Sequence, residues 1–419
     1  MKEIKIIVAG VGSRGMGYAR ECNKSENVKV VGLAEPRSEY RDPIQEECQV
    51  PQENIFDDWR EMAKKEKFAD AIVISTQDNM HVEPVIAFAE KGYHILLEKP
   101  MAPTFQDCCT IFEAVKRNNV ILAVCHVLRY TNYTRKMKEI IDSGVIGEIV
   151  SMAHLEPVNY WHQAHSFVRG NWGNTENSSP MLLAKSCHDL DWIRYVMDKT
   201  CERVSSFGSL FLFKKEQQPK GAADRCLDCP ANVEEDCPYS AKRFYLERVS
   251  EGRVEWPLNV LNAVPDKENI TEALRNGPYG RCVYACDNDV VDHQVVNMEF
   301  EGGRTASFTM TAFTLAGGRE TTVFGSKGQL IGDSSKIKVM NFLKNTSEEI
   351  DTNAGADDIT GGHGGGDSRL MKNFIEVLKS GDASKILTGA EVSLESHLMV
   401  FAAEISRTEK RVVEISELQ

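Results

Sequence analysis

A lysine ends an apolar run and stands directly before a proline in HILLEKPMAP, residues 94–103. Proline cannot continue a central ladder, so a strand over 94–97 must stop at Glu98 or Lys99. The Lys99 amine then sits at the carboxyl end of a buried strand, the edge that borders the ligand crevice in open α/β sheets. A desolvated amine there can act as an acid or a base. A lone lysine is as a rule a solvated strand end, so its company decides. That company includes Gly10, Gly12 and Gly15, spaced G-x-G-x-x-G between an apolar run and a helical pattern. Gly10 allows the tight turn, Gly12 lets backbone approach a pyrophosphate, and Gly15 lets the helix pack close to the strand. Glu35 follows at the end of the second apolar run, where an acid accepts hydrogen bonds from a ribose hydroxyl and repels a 2'-phosphate. NAD is therefore expected over NADP, although Arg37 could pair with such a phosphate.

The elements that must position these groups alternate. The runs IKIIVAG, VKVVGLA, DAIVIST, HILLE and VILAVC are separated by helical patterns over 14–24, 57–66, 79–91 and 104–118. Val- and Ile-rich runs in such alternation make an α/β domain, a doubly wound parallel sheet with helices on both faces. A chain of 419 residues is too long for one ordinary core. The boundaries expected are 1–127 for the NAD-binding Rossmann domain and 128–419 for a second domain. Hydrophobic content of 42% and charged content of 26% describe a globular protein, and no apolar run is long enough for a membrane span. A net charge of −13 argues against nucleic acid as a partner. The opening MKEIKIIVAG lacks the order of a signal peptide, so a cytoplasmic location is expected, with the 12 cysteines as thiols or metal ligands.

Beyond the first domain, 147–156, 203–213, 290–301 and 304–314 have strand character. The stretch YWHQAHSFVRGNWGN brings together His162, His165, Arg169 and Trp172, and aromatic faces beside hydrogen-bond donors suit a sugar. A glycine-rich loop carries His363 towards a ligand, ahead of helices at 367–380 and 389–407 that pack back on the body. An insertion at about 214–289 shows no clear hydrophobic period. It contains Cys226, Cys229 and Cys237, with Cys282 or Cys286 as a further thiol. A loop-rich excursion needs a staple, and the spacing suggests a structural zinc held by Cys226, Cys229, Cys237 and Cys282.

Taken jointly, GVGSRG, STQDNMH, EKP at 98–100, RYTNYTRKMKEIIDSGVIGEI and CHDLDWIRY resemble the Gfo/Idh/MocA oxidoreductase family, over nearly the whole chain. The resemblance implies a Rossmann domain followed by an α/β domain whose large open sheet of mostly antiparallel strands lines the substrate site and mediates oligomers, a dimer or tetramer. It places Lys99 between nicotinamide and substrate, before a proline that is often cis. It puts Ser13, Arg14, Thr76, Asn79, His81 and Glu98 at the cofactor. Arg129, Tyr130 and Asp191 fall at the substrate, and His188 of H-x-x-D shares protons with a hydroxyl. The family's usual aspartate four residues before that histidine is Ala184 here, and the adjacent Lys185 is the candidate to take its place. The activity implied is NAD-dependent dehydrogenation of a sugar, glycoside or cyclic polyol. An NAD-dependent glycosidase working by transient oxidation and elimination is the first alternative, and a non-catalytic dinucleotide-sensing binder the second.

Overall fold

The computed structural model describes residues 3–315, 317–353 and 362–418. The first sheet is six-stranded and parallel, built from β1 (Ile4–Ala9), β2 (Val28–Ala34), β3 (Ile55–Phe56), β4 (Ala71–Ile74), β5 (His94–Leu97) and β6 (Leu122–Val124) in the order β3-β2-β1-β4-β5-β6. Successive side chains of a strand point to opposite faces, and β1 serves two apolar layers accordingly. Ile4, Ile6 and Val8 pack with Tyr18, Cys22, Leu370 and Phe374, whereas Ile7 and Ala9 pack with Trp59, Phe88 and Ile111. The doubly wound arrangement read from the sequence is thus the one formed. The strand order reverses between β1 and β4, and ligands bind at such a switch point, outside the carboxyl ends of the strands. One helix of this layer, Ser38–Cys48, gives no periodic signal because Ile44 is its buried residue and Pro43 lies within it.

The second sheet is nine-stranded. Its strands are β7 (Ile149–Pro157), β8 (Cys201–Ser209), β9 (His293–Phe300), β10 (Arg304–Thr311), β11 (Glu320–Gly325), β12 (Gly328–Gly332), β13 (Lys336–Asn341), β14 (Thr346–Asp351) and β15 (Val413–Glu414). They lie in the order β14-β13-β12-β11-β7-β10-β9-β8-β15. All neighbours are antiparallel except β7 and β10. One face, with Met152, Val204, Val296, Met298 and Phe308, packs on the helices Cys187–Met197 and Ala390–Glu409. The other face is left open. The helix Gly366–Ser380 returns to the first sheet and buries Leu370, Met371 and Phe374 against it.

The insertion corrects the reading of its cysteines. Among the described residues, no group of three His, Cys, Asp or Glu side chains stands close enough to hold a metal. The four-thiolate zinc site expected at Cys226, Cys229, Cys237 and Cys282 is therefore not supported. The physical reason lies in what replaces it. Phe213, Tyr239, Val283 and Tyr284 form one small core, and Tyr245, Leu258, Ile270 and Leu274 form another. The helix Lys267–Asn276 supplies Ile270 and Leu274 from a single face, and Asp266 caps it by accepting the Asn269 N–H. The staple is a buried guanidinium. Arg169 donates to the Arg281 carbonyl at 2.8 Å, the Tyr239 carbonyl at 2.7 Å and the Cys226 sulfur at 3.4 Å. Burial pushes the Cys237 and Cys282 thiols up.

Arg169→Met should therefore lower unfolding stability by about 2–4 kcal/mol, because it strands buried carbonyls. Chelator treatment of the unmodified protein should leave its Tm unchanged. A chelator-induced drop in Tm would restore the metal and displace the arginine as the staple.

Candidate active site

The glycine turn lies at the carboxyl end of β1. Gly10 has φ +83°, and a Cβ there would meet the Ser75 carbonyl oxygen at 2.6 Å; at Gly15 it would meet the Gly10 carbonyl oxygen at 2.0 Å. The helix Ser13–Lys24 begins at Gly12 without a side-chain cap, so its first N–H groups remain open to an anion. A pyrophosphate fits this cradle. Beside it, Glu35 accepts the Val11 N–H at 3.0 Å and two bonds from the Arg37 guanidinium, at 2.7 and 3.1 Å. Burial alone would raise the Glu35 carboxyl, but the bonds from Arg37 outweigh it and hold the group below the usual carboxylate range. Arg37 also lies over the Tyr40 ring, 4.5 Å from its centroid.

At the end of β5, Glu98 is buried and accepts from Arg14 Nε at 2.6 Å and the Tyr18 hydroxyl at 2.7 Å. The same arginine donates to Asp367 on the returning helix. Glu98 and Arg14 therefore lock two helices to β5. Lys99 follows through a cis bond to Pro100, and its Nζ donates to the Ala184 carbonyl of the second domain at 2.6 Å. His81 is wholly buried and donates from Nδ1 to the Pro100 carbonyl at 2.9 Å, tying the lysine's turn to the loop after β4. In that loop Thr76 Oγ1 donates to the Met80 carbonyl at 3.3 Å, and Asn79 is exposed.

One group in this loop escaped the sequence reading. Asp78 is buried between exposed neighbours and accepts a hydrogen bond from the Trp172 side chain, while its Oδ2 has no partner among the described residues. Burial raises its pKa, against the opposing pull of the Lys99 and His81 charges, with Glu98 adding a smaller push upward. The sequence signal was slight: an acid inside STQDNMH, three residues before the histidine.

From the second domain, His188 is buried on the helix Cys187–Met197, edge-on to His126 at 6.1 Å between ring centroids. Lys185 is held by Glu156 at 2.9 Å, and Glu156 also pairs with Arg319, which bonds Asp189. Several expected substrate ligands turn inwards instead. Arg129 and Asp191 form a buried bidentate pair at 2.6 and 2.7 Å, and Tyr130 bonds the Leu387 N–H at 3.2 Å. His165 bonds the Tyr245 hydroxyl at 2.8 Å and stacks on Tyr279, inside the insertion with Arg169. Trp172 reaches the site through Asp78, whereas the side chain of His363 lies outside the described residues. His162 stands close to both lysines; burial, then the charges of Lys185, His165 and Lys99, push its pKa well below the usual value.

Comparison with known proteins places this geometry among relatives. Residues 4–126 match the model described as an oxidoreductase family, NAD-binding Rossmann fold, and residues 138–415 match its C-terminal alpha/beta domain. The chain is 24% identical to the putative oxidoreductase YteT of Bacillus subtilis (strain 168), over 94% of this chain and 93% of that one. It is 29% identical to a 2,7-anhydro-N-acetylneuraminate hydratase of Escherichia coli (strain K12), over 48% of this chain and 51% of the relative, so that match spans about half of each. The scyllo-inositol dehydrogenase of Lactobacillus casei, solved with NAD(H) and scyllo-inositol, shares the fold with a TM-score of 0.66 at 17% identity, over 99% of this chain and 100% of that one. Among the described residues no helix is long and apolar enough to cross a membrane.

The buried rings make stability pH-dependent. Burial lowers His126 and His165 to about 3 and His397 to about 4. Each stays neutral in the fold while the unfolded chain takes up a proton near pH 6.5. Their contribution is complete above that pH and is lost as pH falls towards the folded values, at about 1.4 kcal/mol per pH unit for each ring. Unfolding midpoints in urea should drop steeply from pH 6.5 to 5, before the carboxylates titrate. A flat profile over that window would mean that these rings are protonated in the fold.

Proposed function

The chain belongs to the oxidoreductase family that joins an NAD-binding Rossmann fold to a C-terminal alpha/beta domain, and from that premise we propose that it transfers a hydride between nicotinamide and a hydroxyl-bearing carbon of a sugar, glycoside or cyclic polyol. One observation carries the reading: the Lys99 ammonium crosses from the end of β5 to the Ala184 carbonyl, at the junction of the cofactor crevice and the second domain. When bound, NAD supplies the hydride acceptor. Gly10, Gly12 and Gly15 hold its pyrophosphate, and Glu35 its ribose.

A substrate hydroxyl entering beside Lys99 takes the place of the Ala184 carbonyl as the ammonium's partner. Lys99 and His188 manage the proton that this hydroxyl loses on oxidation and regains on reduction. Lys185, fixed by Glu156, orients a neighbouring hydroxyl. The Lys99 charge in turn opposes the burial that raises the Asp78 carboxyl. The carbohydrate class is supported by relatives named for an inositol and an anhydro sugar acid. The hydratase name also favours a second reading, elimination or hydration through transient oxidation, in which product forms without net NADH. A binder that only senses the dinucleotide would turn over neither.

The open face of the second sheet suits a second copy of the chain. Ladder register puts Phe207, Val295 and Leu155 on that face in one row with Thr309 and Glu320, Ile331 in the next row and Phe324 in the row after that, and Phe207 is 65% exposed. A dimer or tetramer closed through this face is the oligomer proposed.

Purified protein incubated with NAD and a panel of inositols, sugars and glycosides, with absorbance and products both followed, tests the function. Lys99→Met should reduce kcat by about 10²- to 10⁴-fold, with NAD affinity nearly unchanged, and His188→Ala should act the same way more mildly. Near wild-type kcat in Lys99→Met would remove the lysine from the chemistry. NAD should be preferred to NADP, and Glu35→Ala should narrow the preference by releasing Arg37 towards a 2'-phosphate. An unchanged cofactor ratio in that variant would show that Glu35 does not set it.

A further inference from the structure

The insertion does more than pack on itself. Trp256 belongs to it, is 39% exposed, and lies edge-on to His162 at 5.2 Å between ring centroids. Behind these rings Trp161 is tilted against Trp256 at 5.3 Å and stacked on Phe244 at 5.1 Å, with the Arg248 guanidinium over the same pair of rings at 5.3 and 4.3 Å. His162 in turn feels the charges of Lys185 and Lys99. His162 lies on the short helix just after β7, whose Glu156 holds Lys185 at 2.9 Å, so an aromatic wall runs from the strand end that anchors Lys185 to a part-exposed indole. Three residues beyond Trp256, the Asn259 carbonyl accepts the Tyr40 hydroxyl of the Rossmann domain at 3.2 Å. The segment that carries the wall is therefore tied to the helix Ser38–Cys48 of the cofactor domain.

Trp256 touches the insertion's own packing only at its edge, lying edge-on to His165 at 5.5 Å between ring centroids. The core of the insertion is supplied by Tyr245, Leu258, Ile270 and Leu274, all buried, whereas Trp256 keeps part of its ring in water. Part-exposed indoles next to a polar reacting centre match the alternation of C–H faces and hydroxyl rims on a pyranose ring.

We infer that Trp256, backed by Trp161 and His162, forms a second-ring subsite, so that the preferred substrate is a carbohydrate bearing a further ring, a disaccharide or an aryl glycoside, with its reacting ring at Lys99. This rests on the carbohydrate reading of the site. Contact with the remote ring raises kcat/KM where binding energy is used to orient the reacting ring.

The test measures kcat/KM with NAD for monosaccharides and their methyl glycosides against the matching disaccharides and p-nitrophenyl glycosides. In the wild type the two-ring members should be favoured by about tenfold or more, a measurement that needs no variant. Trp256→Ala should collapse that ratio towards one, and Trp256→Phe, which keeps an aromatic face, should restore most of it. Turnover with equal kcat/KM for one-ring and two-ring members would overturn the subsite and leave the carbohydrate reading standing. So would a ratio that Trp256→Ala leaves intact. No turnover of any carbohydrate, by absorbance or by product, would overturn both.

Discussion

A carboxylate buried at the end of a strand stays ionised only if a cation and further donors are fixed beside it, and Glu98 depends on this condition. Arg14 and Tyr18 satisfy it from the helix Ser13–Lys24, and Arg14 reaches on to Asp367 of the returning helix. Burial alone would raise Glu98, yet the arginine prevails and its pKa is lowered. Removing the arginine would strand the buried carboxylate, whereas the arginine, 38% exposed, keeps water of its own. The lock therefore holds β5, the first helix and Gly366–Ser380 in one register. Lys99, the next residue along, inherits its position from that register.

The second domain repeats the device with different partners. Arg129 and Asp191 join the junction between domains to the helix Cys187–Met197, and a third bond from Arg129 reaches the Leu387 carbonyl at 2.6 Å. Arg319 joins Asp189 and Glu156, and Lys185 ends that chain of charges. Guanidinium suits such places because it offers several donors in a fixed fork and stays charged. The outcome is a rigid floor under His188 and Lys185. Few of the charged groups below the cleft remain available to a ligand.

The parallel sheet was legible because its signals are local: β-branched runs, glycines at fixed spacing, and an acid at the end of β2. The open sheet was legible only in part. Strands β11 to β14 carry alternations such as KIKVMN and TSEEID, whose apolar members are few because one face meets water. Arg129, Asp191 and Arg169 have the chemistry of ligands, but long-range packing brought each a buried partner first. Cys226, Cys229 and Cys237 have the spacing of a metal site, while the spatial position of each thiol is set by cores at Tyr245 and Tyr239 that no local pattern announces. Asp78 was missed for the converse reason. An acid in a loop reads as solvated until a tryptophan from another domain covers it.

That covering links protonation across the cleft. Asp78, His162 and His126 all respond to the charge of Lys99, two of them from different domains and all within a medium where water screens little. In the proposed reaction, a substrate that displaces the Ala184 carbonyl would also displace water, so the lysine charge would act on its neighbours more strongly in a filled site than in an open one. Excluding water also deepens the burial that already raises the Asp78 carboxyl, so at that group the two effects oppose one another. In the proposed subsite, the wall at Trp256 would add to that exclusion of water.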